Sequence, residues 1–156
     1  MDYTLRKARE QDIPQIIELS GLLADHHHVL DSYWKAGSET KNTFGEFIKS
    51  ELEKTNVMLL VAEVNQKVVG YFSAEISPTK PVIFVPYIGH ISNGFLLEEY
   101  RGKGIAKKAV EQFLSWFKKQ NVKVAELTVD SRNVEGVRAW EGMGFKEYMK
   151  RMKMDI

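Results

Sequence analysis

The 156 residues suit one domain, residues 1–156, with a real core, and 44% hydrophobic and 28% charged residues are ordinary globular values. Lys and Arg number 22 against 21 Asp and Glu, a net charge of +1 that gives no footprint for a nucleic-acid partner or an acidic surface. The absence of cysteine excludes disulfides, thiolate metal sites and a cysteine nucleophile, and with no apolar run near the ~20 residues of a membrane span and no apolar leader in Met1 to Glu10, a soluble cytoplasmic protein is expected.

Tyr3 to Lys7 reads as a first strand. Asp12 then suits the N-cap of a helix carrying Ile13, Ile16, Ile17, Leu19, Leu22 and Leu23. Asp25-His26-His27-His28 to Trp34 follows, an unusual polar and aromatic segment. Gly37 to Asn42 reads as a loop, and Thr43 as the cap of a second helix reaching Glu53. Val57 to Val64 and Val68 to Ile76 form a hairpin about Asn65-Gln66. Ser77 to Pro86 holds three of the four prolines and connects to a strand, Tyr87 to Leu96. A helix-like run from Lys107 to Gln120, a strand over Lys123 to Val129, a short helix and a final strand near Lys146 to Met154 complete a mixed α/β order.

The most informative stretch is Arg101-Gly102-Lys103-Gly104-Ile105-Ala106, between strand and helix. Its glycines permit a sharp turn, and the helix start offers N–H groups and a positive dipole end, a combination that binds phosphate. A Walker loop does not fit, because Gly102-Lys103 is followed by Gly104 rather than Ser or Thr. A dinucleotide fingerprint fails at Lys107.

Arg101 through Gly104 to Ala106 is R-x-x-G-x-A, which resembles the loop of the GNAT N-acetyltransferases that grips the pyrophosphate of acetyl-coenzyme A. Asn133 to Phe145, with Trp140-Glu141-Gly142-Met143-Gly144-Phe145, resembles that family's second motif. The resemblance covers nearly the whole chain, weakest between about residues 25 and 55. It implies a mixed, mainly antiparallel central sheet flanked by helices, with a bulged strand before the Gly-rich loop. It also implies acetyl-coenzyme A as co-substrate, held by Phe95, Leu96, Arg101, Gly102, Lys103, Gly104, Ile105, Ala106, Asn133 and Trp140. Gly94 inside its strand is consistent with the bulge, and a close backbone approach is the other reading.

A general base belongs on the same strand. Side chains alternate, so His90, Ser92 and Gly94 are expected on one face. His90 falls where family members carry a catalytic Glu or His, and His90 with Ser92 are the catalytic candidates. A buried His bonding the sheet is the other reading of His90. The family's usual acid is a Tyr in the second motif. Trp140 stands there, and an indole N–H does not titrate usefully.

No metal is expected, because three consecutive His on a helix point about 100 degrees apart. The end of the first helix walls the acceptor pocket in this family. That makes Asp25, His26, His28, Asp31, Tyr33 and Trp34 candidates for substrate contact, with Glu75 on the facing strand. The expected activity is direct acetyl transfer to a primary amine of a small molecule or peptide. A longer acyl group, a non-catalytic acyl-coenzyme A sensor and a phosphate-binding scaffold stay open. A homodimer through the Met-rich final segment is also open.

Overall fold

The computed structural model describes residues 2–156. Five strands lie in chain order: β1 (Thr4–Lys7), β2 (Val57–Val64), β3 (Lys67–Pro78), β4 (Tyr87–Leu96) and β5 (Ala125–Leu127). The first three pairings are antiparallel. β4 and β5 are parallel and joined through the helix α3 (Ile105–Lys119). Helices α1 (Ile13–Leu30) and α2 (Gly37–Glu53) cover one face, and α3 covers the other.

The alternation of apolar residues in β2 explains the two layers. Leu59 and Val61 pack with Ile13, Ile16, Leu19 and Ile48 of α1 and α2. Leu60 and Ala62 pack with Ile105, Ala109, Phe113 and Phe117 of α3. The short helix α4 (Val134–Gly142) adds Trp140 to the α3 side. Asn65 and Gln66 both take positive φ, 49° and 63°, which closes the β2–β3 hairpin with the twist its strands need.

Several elements differ from the expectations. The helix α1 runs through His26, His27 and His28 to Leu30, where the Asp31 N–H still donates to the His27 carbonyl at 2.9 Å. Asp12 does not cap it. Its carboxylate accepts from Arg6 Nη1 and Nη2 at 2.7 and 2.9 Å and from the Arg9 N–H at 2.8 Å. The helix α2 starts at Gly37 rather than after Thr43, because caps are supplied from elsewhere. The Gly37 N–H donates to Asp25 Oδ1 at 2.7 Å, and the Ala36 N–H to Glu39 Oε2 at 3.1 Å. β5 has three residues where seven were expected, and the final strand near Lys146 to Met154 is absent from the sheet. Nothing covers that segment: Met149, Met152 and Met154 are exposed, and side chains rather than a ladder hold it.

Candidate active site

The Gly-rich loop leaves β4 through a short helical turn, Glu98–Tyr100. Gly102 and Gly104 sit at φ 70° and 80°, the left-handed region that favours glycine. Nothing stands within 4 Å of where a Cβ would project from either. The first bond of the α3 ladder runs from the Lys108 N–H to the Gly104 carbonyl at 3.0 Å. The N–H groups of Ile105, Ala106 and Lys107 therefore precede the ladder and mark its positive end. Ile105 is buried as the anchor of the loop, while Lys107 is exposed.

Two basic residues of the loop act inward. Arg101 Nε donates to the Leu96 carbonyl at 3.0 Å, and its guanidinium lies 5.6 Å from the Phe95 ring centroid. Lys103 Nζ donates to the Glu99 carbonyl at 2.6 Å and lies over the Tyr100 ring. Both contacts hold the loop to its own backbone.

β4 carries a register shift opposite Ser73 and Ala74: Ser73 pairs with Asn93 but Ala74 with Ile91, leaving Ser92 as the extra residue. The bulge is at Ser92, not Gly94. Gly94 is a close-approach glycine, its absent Cβ 3.1 Å from the Phe72 ring. The extra residue also re-phases the strand. His90 lies opposite Glu75, whereas Gly94 lies opposite Phe72 of the α3-side core, so His90, Ser92 and Gly94 do not share a face. Asn93, opposite Ser73, takes the place on His90's side that Ser92 was expected to fill.

Pairing of β4 with β5 ends at Ile91 and Leu127, one residue before the bulge. The ladder between the two parallel strands stops there, while β4 runs on to Leu96. At the last rungs, Glu75, His90 and Glu126 form a row across three strands. His90 Nδ1 lies 3.8 Å from Glu126 Oε1, with both side chains about one-third exposed. Tyr148 Oη donates to the other oxygen of Glu126 at 2.6 Å, a bond that pushes the phenol pKa up. Glu126 escaped sequence reasoning, since only the strand register brings it to His90, whereas Tyr148 is one of three phenols, with Tyr87 and Tyr100, that the sequence offers in place of the missing acid.

The end of α1 forms a separate cluster. His28 Nδ1 meets the Trp34 carbonyl at 2.6 Å, and His27 stacks on the Trp34 ring at 5.1 Å. Burial pushes the His27 imidazole pKa down, helped by His26 and opposed by Asp130. Asp31 joins Arg132 at 3.1 Å and Lys153 at 2.6 Å, and these bonds with the Tyr33 N–H hold its carboxyl well below the usual range. Lys153 also lies 4.5 Å from the Tyr33 ring centroid. Arg132 in turn holds Asp130 down to about 2. His26, His28 and Tyr33 are exposed, whereas Asp25 is committed to capping α2.

Asn133 caps α4, its Oδ1 accepting from the Gly136 N–H at 3.0 Å. Trp140 packs edge-on to Phe145, with ring centroids 5.7 Å apart. Among the described residues, no group of three or more His, Asp or Glu side chains is placed to hold a metal ion. No described helix is long and apolar enough to cross a membrane.

Known proteins resemble this chain in sequence and in fold. A protein of Saccharolobus solfataricus named N-alpha-acetyltransferase is 30% identical over 94% of this chain and 81% of its own length. A transcriptional regulator from Bacillus halodurans superposes with a TM-score of 0.79 at 20% identity, covering 99% of this chain and all of that one. A predicted acetyltransferase from Clostridium acetobutylicum, solved with acetyl-CoA, gives 0.77 at 16% identity over 99% and 96% of the two chains. These two likenesses are of fold. The model of the Acetyltransferase (GNAT) family matches residues 23–145, well over half of the sequence, so this chain belongs to the GNAT family of acetyltransferases.

Proposed function

We propose that the protein transfers an acetyl group from acetyl-coenzyme A to a primary amine, with His90 as the general base. The observation that carries this reading is the parting of β4 from β5 after Ile91, between His90 and the Gly-rich turn. The open backbone at Gly102 and Gly104 fits a pyrophosphate. The N–H groups of Ile105, Ala106 and Lys107 would hold it, with the Lys107 ammonium nearby. The edge of β4 turned away from β3, which has no rung with β5 beyond Ile91, would lie along the pantetheine arm near Phe95 and Leu96, with Trp140 packing at its side. When bound, acetyl-coenzyme A supplies a thioester carbonyl carbon for attack and a thiolate as leaving group. His90 takes the proton that the amine nitrogen loses as its bond to the acetyl carbon forms. The Ser92 hydroxyl, at the bulge, stands where the strands part.

The acceptor would be a small-molecule amine or a peptide. The name of the Saccharolobus relative favours a peptide α-amino group, and Tyr33, His26, His28 and Glu75 are the residues proposed to line its approach. An acceptor screen tests this by following coenzyme A thiol release with small amines, polyamines and short peptides. Release that depends on one amine class is expected, and thiol release indifferent to every amine would refute the reading.

One observation favours a second reading. Trp140 stands where the family carries a Tyr, so a non-catalytic acyl-coenzyme A sensor is the alternative. Trp140→Tyr separates them. An active enzyme should gain little, whereas a sensor lacking its acid should gain turnover towards the ~10²–10⁴-fold of a placed general acid.

A further inference from the structure

We infer that Glu126 is a positioning residue for His90. Its carboxylate faces Nδ1 from the neighbouring strand and holds the ring with that nitrogen protonated, so that Nε2 keeps the lone pair, and Tyr148 anchors the carboxylate. The inference rests on His90 being the base.

Three observations support it. The parallel register sets His90 directly opposite Glu126, so backbone geometry enforces their proximity. Nδ1 is the ring nitrogen on the Glu126 side, at 3.8 Å from Oε1. The other carboxylate oxygen is already held by Tyr148 Oη at 2.6 Å, which fixes the rotation of the group and turns Oε1 towards the ring. A separation of 3.8 Å is an ion-pair distance rather than a hydrogen bond, and attraction shortens it once His90 carries a proton.

The charged neighbours of His90 divide the work. Glu75 faces it from β3, and its field also reaches Lys54. Glu126 faces it from β5, with Tyr148 of the C-terminal segment behind. From α1, which touches β4, His27 interacts with His26 and Asp130. Glu126 is thus the carboxylate on the Nδ1 side. A carboxylate on that side favours the tautomer with its proton at Nδ1, since the partner that one ring nitrogen faces decides which nitrogen is basic.

The test reads the tautomer without any ligand. Long-range ¹H–¹⁵N spectra of the free protein at pH 8.5 should show His90 protonated at Nδ1. Glu126→Ala should lose that pattern, and Tyr148→Phe should weaken it while leaving the fold intact. Turnover should fall ~10-fold or more in Glu126→Ala, with KM for acetyl-coenzyme A unchanged. A His90 pattern identical in wild type and both variants overturns the inference, whatever the activities. Full activity in His90→Ala would instead overturn the base assignment and leave the tautomer result standing.

Discussion

Asp12 and Arg6 offer the clearest residue whose charge bears on stability. The Arg6 guanidinium holds the Asp12 carboxyl below the usual carboxylate range, and Asp12 itself is only 3% exposed. A depressed carboxylate contributes stability above its unfolded pKa of ~3.9 and loses it as pH falls through the folded value. Asp12→Asn should therefore cost about 2–3 kcal/mol at pH 7, less than a fully buried pair because Arg6 keeps 18% exposure. It should also flatten the loss of stability below pH 4, as read from urea midpoints across pH. For the chemistry, His90→Ala should lower kcat/KM by ~10²-fold while acetyl-coenzyme A affinity stays near wild type. Residues whose work is local were legible: Gly102 and Gly104 announce a turn before a helix whatever surrounds them. Glu126 was not, because a glutamate in a short strand carries no mark of the histidine that another strand brings opposite. Asp12 looked like a cap because capping is the commonest use of Asp before a helix, and a nearby Arg won the carboxylate instead.

Elements follow the same division between local and distant causes. The ends of β2 and β4 matched expectation to the residue, and for β2 the reason is plain, since its apolar run stops at Asn56 and Asn65. The start of α2 did not, because it depends on Asp25 reaching across from α1. The crossing of these helices is tight: a Cβ on Gly37 would come 2.2 Å from the Gly21 carbonyl oxygen. Gly37→Ala should thus destabilise by about 1–3 kcal/mol through forced backbone separation, which outweighs the ~1 kcal/mol that Ala gains in helix propensity. Thermal unfolding would show the sign. In the Gly-rich loop the opposite balance is expected. Gly104→Glu incurs about 1–2 kcal/mol of left-handed strain, and a negative charge at the start of α3 recovers up to ~1 kcal/mol of it. Its melting point should move little, yet calorimetry should detect no acetyl-coenzyme A binding. The step in β4 is one residue that the ladder does not need. Deleting Ser92 would join Ile91, opposite Ala74, directly to Asn93, opposite Ser73, and leave Asn93 and Phe95 on their present face, so both the deletion and Ser92→Ala should fold, as circular dichroism would show.

At the scale of the whole molecule, a ligand that bridges the loop and the parting strands should stabilise the protein by mass action. Acetyl-coenzyme A at 100 times its Kd is expected to add about 2.7 kcal/mol, visible as a higher melting temperature. The three rungs between β4 and β5 have a kinetic corollary. β2, β3 and β4 form a continuous meander from Val57 to Leu96 with long antiparallel ladders, whereas β5 waits on the α3 crossover and then joins by three residues. Parallel pairing across a long connection is slow to form and open to fluctuation. The amides of β3 should therefore exchange with deuterium only through global unfolding, while those of β5 should exchange through a smaller, separate opening. The strand that carries Glu126 would then be the last to arrive in folding and the first to leave.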